Sequence, residues 1–172
     1  MLCANCFKEL TSDKHQKECQ TIKMFQLKQQ NLPLKNKMMT YGLGGCTAII
    51  LIDKECNRVI FGHHPNKNIV LKWFMENFTN PNNKYILIIK LPGEYIINNF
   101  NKYDLKGTEE KFWNQNIPKN DNLKIIFEPY NLNTSIQFNQ KYTFNYNSTL
   151  YLRQNKDLSL EYNDTYGRWI KI

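Results

Sequence analysis

Gly42–Leu43–Gly44–Gly45–Cys46–Thr47–Ala48–Ile49–Ile50–Leu51–Ile52 is the stretch that sets the fold of this chain. Its second half is an apolar run of strand length. After a polar turn around Asp53–Asn57, Val59–Ile60–Phe61 reads as the antiparallel neighbour of that run. A hairpin of this kind returns the end of the second strand to the start of the first. Cys46, at the mouth of the first strand behind a glycine-rich turn, is thereby brought near the histidine of Gly62–His63, seventeen residues on.

Further along, Asn66–Asn77 carries Ile69, Val70, Trp73 and Phe74 on one stripe, with Lys67, Lys72 and Glu76 elsewhere, which predicts an amphipathic helix docked on a sheet. Tyr85–Ile89 reads as a buried strand stopped by Pro92–Gly93. Thr108–Trp113 reads as a helix capped by Thr108, with Glu109 and Glu110 in its first turn. Strands are expected near Lys37–Tyr41, Leu123–Glu128, Ile136–Phe138, Tyr142–Tyr146, Thr149–Arg153, Leu158–Tyr162 and Arg168–Ile172. The body is therefore α+β and rich in strand. Trp73, Trp113 and Trp169 each lie in an apolar pattern and read as core anchors.

The first residues have a different character. Cys3–x–x–Cys6 is followed by His15–x–x–x–Cys19, and Leu10–Thr11–Ser12–Asp13 between them offers a helix cap that would set His15 and Cys19 one turn apart. Two ligands on a knuckle and two on a helix turn describe a structural zinc site formed by Cys3, Cys6, His15 and Cys19. A segment so poor in apolar residues needs the metal for much of its folding free energy. It resembles the small Cys-Cys-His-Cys fingers that bind proteins or nucleic acid. From Gln20 to Met39 the chain carries Lys23, Lys28, Lys35 and Lys37 with no acidic residue, and Pro33 interrupts any long helix. The expected organisation is a zinc knuckle over 1–20, a basic linker over 21–38 and one α/β domain over 39–172.

With 172 residues there is room for one cored domain and a small appendage. The net charge of +8 makes nucleic acid or an acidic partner worth considering, but the basic residues are dispersed and the aromatics fall in apolar runs. No apolar stretch approaches the length of a membrane span, and Met1–Leu2–Cys3 is no export signal. Five cysteines, an odd count with three in the first nineteen residues, fit metal ligation plus a free thiol in a reducing compartment. The expectation is an intracellular, cytoplasmic protein without membrane contact.

A cysteine acts as a nucleophile when a neighbouring base accepts its proton. Here Cys46 is the candidate nucleophile and His63 the candidate base, with Thr40 able to orient the imidazole. Gly44 and Gly45 would let a carbonyl approach backbone N–H groups near Cys46, with no Cβ in the way. His64 competes with His63, since adjacent strand residues face opposite ways.

Thr40–x–Gly42–Leu43–Gly44–Gly45–Cys46, an apolar strand, a turn with Asp53 and then Gly62–His63 resemble the active-site region of the chemoreceptor glutamine deamidase (CheD) family. The likeness covers about Met39–Pro65. It implies a layered α/β sandwich of deamidase type, with Cys46 as nucleophile, His63 as base, Thr40 as third polar residue and no cofactor for catalysis. The implied activity is hydrolysis of glutamine side-chain amides in a protein substrate. The sequence departs from that family at Gly45, where Ser is common, at His64–Pro65–Asn66, and in lacking a later Gly-Gly-Ala segment. The alternative is a non-catalytic zinc-finger interaction protein that binds a protein or nucleic acid.

Overall fold

The computed structural model describes residues 1–98, 101–132 and 146–172. The expected hairpin is present: β4 (Thr47–Asp53) pairs antiparallel with β5 (Arg58–His64), with Ala48 opposite His63 and Asp53 opposite Arg58. All seven residues of β4 are buried. Because side chains alternate across a strand, apolar residues at nearly every position require a layer on each face.

One layer is helical. α2 (Lys67–Asn77), capped by the Asn66 side chain, lays Val70 and Phe74 on Ile49, Leu51 and Ile60, and α3 (Lys106–Asn116) adds Trp113 to the same core. The other layer is a second sheet. Ile50, Ile52, Val59 and Phe61 face Met38, Leu150, Leu152 and Tyr162 across it. That sheet runs β1 (Cys19–Thr21), β3 (Lys37–Thr40), β9 (Leu150–Gln154), β10 (Leu160–Asn163), β11 (Trp169–Lys171). The first sheet runs β2 (Gln26–Asn31), β5, β4, β6 (Tyr85–Asn98), β7 (Asn101–Asp104), with β8 (Leu123–Asn131) parallel to β6 on its other edge. The N-terminal residues, including α1 (Asp13–Glu18), form a further small core of Cys3, Ala4, Cys6 and Cys19 against Met39 and Tyr151. The protein is thus α+β, with two sheets and, among the described residues, three helices. No helix among these residues is long and apolar enough to cross a membrane.

Three expectations need correction. The stretch read as a basic linker over 21–38 contains β2, an edge strand paired with β5 from Gln26–His63 to Asn31–Arg58. Its polar composition suits an edge, where one ladder satisfies the backbone and charged side chains discourage further pairing. Leu27 is the inward-facing exception: it and Trp73 fill the space above Gly62, where a Cβ would come within 2.9 Å of each. Pro92–Gly93 does not stop the strand after Ile89. On one edge β6 pairs with β4 through Lys90 and with β7 from Glu94, so Pro92 sits where no ladder partner is owed an N–H. Thr108 is not a helix cap, because α3 begins two residues earlier, with the Asp104 carboxylate accepting from the Lys106 N–H at 3.0 Å. The strands expected at Ile136–Phe138 and Tyr142–Tyr146 lie outside the described residues, apart from Tyr146 itself.

Lys90 is fully buried between the sheets, beside Ala48 in the register, and its Nζ donates to the Tyr146 carbonyl at 2.7 Å. Burial lowers its pKa to about 7, against the opposing pull of Glu128 and Asp164. The unfolded chain therefore binds more protons than the folded one between pH 7 and the ordinary lysine value, and stability contributed here rises with pH across that window. Urea midpoints of the native chain, measured relative to Lys90→Met, should climb from pH 7 to pH 10; a constant difference would contradict this.

Candidate functional site

β3 alternates across its sheet: Met38 faces the space between the sheets, Met39 the N-terminal core, and Thr40 the inter-sheet space again. There the Thr40 hydroxyl oxygen lies 2.7 Å from the Ile22 carbonyl oxygen and 2.7 Å from His63 Nδ1. A hydroxyl has one proton and a carbonyl can only accept, so Thr40 donates to Ile22 and accepts from the Nδ1–H of His63. This assigns the imidazole tautomer from the network and leaves the lone pair on Nε2. That atom is buried with no hydrogen-bond partner among the described residues. Burial, with His64 adding repulsion, lowers the His63 pKa to about 4, so the ring is a neutral acceptor at neutral pH.

The register decides between the two histidines. His63, opposite Ala48, faces the inter-sheet space and Thr40, whereas His64 faces the other way, its ring edge-on to Phe25 and Trp73 and its Nδ1 accepting from the Asn66 N–H. Cys46 lies two residues before Ala48 and packs in the same inter-sheet core as Ala48 and Ile50. It thus lies at the end of the hairpin that carries His63, with no hydrogen bond between its Sγ and His63 Nε2. Thr40, Cys46 and His63 are thus gathered at one end of the inter-sheet space.

The glycine turn is anchored at Leu43, whose side chain is buried and whose N–H donates to the Ser148 carbonyl at 3.0 Å. On either side of it Gly42, Gly44 and Gly45 are exposed, and a Cβ at any of them would meet nothing within 4 Å. Gly45 has φ +99°, a region closed to most side chains. Its N–H is not free: it donates to the Tyr130 hydroxyl at 2.9 Å, and that hydroxyl donates to the Cys46 carbonyl at 2.7 Å. Cys46 as a residue is 6 % exposed, with Met24 Sδ 3.9 Å from its Sγ. Met24 belongs to a turn closed by the Gln26 N–H on the Lys23 carbonyl, in which Phe25 sits at φ +69° and donates its N–H to the His63 carbonyl. Burial pushes the Cys46 thiol up from its ordinary value, so cysteine and histidine rest as a neutral pair and not as an ion pair.

The second cluster is formed by Cys3, Cys6, His15 and Cys19, all buried, with their ligand atoms within 4.8 Å of one another. Cys3 Sγ and Cys19 Sγ are 3.7 Å apart, and Cys6 Sγ is 3.3 Å from His15 Nδ1. Ser12 caps α1, Cys19 closes it, and His15 turns its Nε2 to the Thr21 hydroxyl at 2.9 Å, which orients Nδ1 toward the sulfurs. The hydrogen bond from Cys19 brings the Cys3 pKa down to about 6 while raising that of Cys19, and burial raises that of Cys6. Three buried thiols cannot all ionise in apolar surroundings without a cation among them. This group can hold a metal ion.

Neither a protein-family model nor a curated protein matches the chain. Tyr130, Met24 and Thr21 were invisible to sequence reasoning: Tyr130 lies eighty-four residues from Cys46, and nothing in the local pattern marks a strand tyrosine as a partner for a distant loop.

The hydrogen-bond network predicts that imidazole 15N shifts of His63 report the Nδ1–H tautomer, neutral down to about pH 4. In Thr40→Val that preference should be lost, and the unpaired Ile22 carbonyl should cost about 1–3 kcal/mol in urea unfolding. An Nε2–H tautomer in the native chain would refute the assignment.

Proposed function

We propose that the chain is a cysteine-dependent amidohydrolase, acting through Cys46, His63 and Thr40 on glutamine side chains of a protein substrate. The observation that carries this reading is the orphaned, buried Nε2 of His63, given its lone pair by the Thr40–Ile22 hydrogen-bond relay, on the face of the sheet that also holds Cys46. A buried imidazole acceptor left without a partner is costly in a purely structural role and is what a general base requires.

In the reaction, Met24 moves off the thiol and the glutamine carboxamide enters over the exposed glycine face. Cys46 Sγ attacks the carbonyl carbon as its proton passes to His63 Nε2. The charge that develops on oxygen is met by the Cys46 and Gly44 N–H groups, since the Gly45 N–H is engaged by Tyr130. The proton on Nε2 then goes to the leaving nitrogen and ammonia departs, giving a thioester. Water, deprotonated by the same Nε2, hydrolyses the thioester to glutamate and restores the thiol. Thr40 holds the imidazole through Nδ1 throughout.

A neutral pair gives a particular pH signature. kcat/KM should show an acid limb near pH 4, where His63 protonates, and no fall through neutral pH, where the thiol stays protonated. The direct test is incubation with a protein extract. The intact chain should release ammonia and convert specific glutamines to glutamate by mass spectrometry, and Cys46→Ala should do neither; equal signals from both would refute the reading.

The Cys3–Cys6–His15–Cys19 group is proposed as a structural zinc site. Two sulfurs each about 2.3 Å from a tetrahedral zinc lie about 3.8 Å apart, which agrees with the 3.7 Å between Cys3 and Cys19. His15→Ala should lower bound zinc from one equivalent and reduce the melting temperature. Full zinc retention would contradict this.

A second reading, an interaction protein that binds a protein or nucleic acid without catalysis, is favoured by Met24 lying on a thiol that burial keeps protonated. Cys46→Ala separates the two, since binding alone would survive it.

A further inference from the structure

Tyr130 is the group that the preceding chemistry leaves unused. It is fully buried on β8, where it pairs with Pro92 of β6, yet its hydroxyl reaches the glycine turn that leads into β4, on the far side of β6. The hydroxyl makes two hydrogen bonds of opposite sense to adjacent residues: it accepts from the Gly45 N–H at 2.9 Å and donates to the Cys46 carbonyl at 2.7 Å.

Those two contacts have a geometric consequence. The Gly45 N–H belongs to the peptide that precedes Gly45, and the Cys46 carbonyl to the peptide that follows Cys46. Between them lies a third peptide, which carries the Cys46 N–H. With both flanking peptides tied to one oxygen, the two ends of this middle unit are held in place, which restrains its rotation, and Gly45 is held at its positive φ. A glycine turn left free would permit the peptide to flip and turn its carbonyl where the N–H had been. Burial raises the Tyr130 pKa, so the hydroxyl keeps its donor proton throughout the pH range of the reaction.

We infer that Tyr130 is a positioning residue that fixes the orientation of the Cys46 N–H as an oxyanion donor. The inference rests on the amidohydrolase reading of Cys46. It gives the buried phenol a role in the step where carbonyl oxygen becomes oxyanion and none in thiol access or deprotonation.

Two probes of the same thiol separate these roles. Iodoacetamide alkylates Cys46 by displacement at saturated carbon: sulfur takes the carbon, iodide leaves and no oxyanion forms. With p-nitrophenyl acetate the acetyl group moves to Cys46 sulfur through a tetrahedral oxyanion, and p-nitrophenol departs with a proton. Both rates would be followed at Cys46 by peptide mass spectrometry in the full zinc-loaded chain, native and Tyr130→Phe. The expected result is a loss of roughly tenfold or more in acetylation of the variant, with alkylation changed less than twofold.

Equal acetylation in both chains overturns the role of Tyr130 and leaves the amidohydrolase reading standing. Parallel loss of acetylation and alkylation also overturns it, because Tyr130 then only maintains the fold. Absence of Cys46 acetylation in the native chain overturns the amidohydrolase reading and this inference with it. Should Tyr130→Phe fail to fold, amide hydrogen exchange on the native chain decides: a protected Gly45 N–H beside a fast-exchanging Cys46 N–H is expected, and a protected Cys46 N–H refutes the assignment.

Discussion

Everything in this fold follows from a strand that is buried on both faces. β4 has no solvent side, so it must be central in its sheet, and each of its faces must be covered. Helices α2 and α3 cover one, and the β1–β3–β9–β10–β11 sheet covers the other. The second sheet has an outer face of its own, which the cysteine-rich N-terminus closes through Met39 and Tyr151. The layers are consequences of one another, in the order in which apolar surface remains to be buried.

Thr40, His63 and Lys90 are among the polar groups buried in this interior. Thr40 and His63 come from different sheets, and the hydrogen bond between them crosses the sandwich. Lys90 crosses it a short way along, reaching the carbonyl of Tyr146. Each is satisfied on one side and held by apolar neighbours on the other. The same surroundings push His63 down and Cys46 up, so the low dielectric works against an ion pair at rest.

What the sequence revealed depended on range. The hairpin, α2 and the four clustered ligands were legible because each is a local pattern: alternation, a 3.6-residue stripe, a fixed spacing between ligand types. The placing of His63 on the inter-sheet face at the end of β5 was legible for the same reason, since a hairpin register is short-range information, and Thr40 was read as the group that could orient its imidazole. β2 was not legible, because an edge strand needs so little apolar surface that its composition matches a linker's. The continuation of β6 past Pro92 was hidden because it depends on a change of ladder partner that only the assembled sheet reveals. Tyr130 had no signal at all. Its two hydrogen bonds join residues that are neighbours only after the parallel pairing of β6 and β8 is complete.

That parallel pairing also sets an order of events. Thr40, Cys46 and His63 lie close in the chain and can meet as soon as their hairpin and β3 associate, but β8 is synthesised much later and must cross over by way of α3 to reach β6. A nascent chain therefore carries its thiol and imidazole before it carries the phenol that bonds the Gly45 N–H and the Cys46 carbonyl. The groups that hold the loop around Cys46, the Tyr130 hydroxyl and the Ser148 carbonyl, both follow α3 in the chain, so the last residues to be made complete the setting of one of the first.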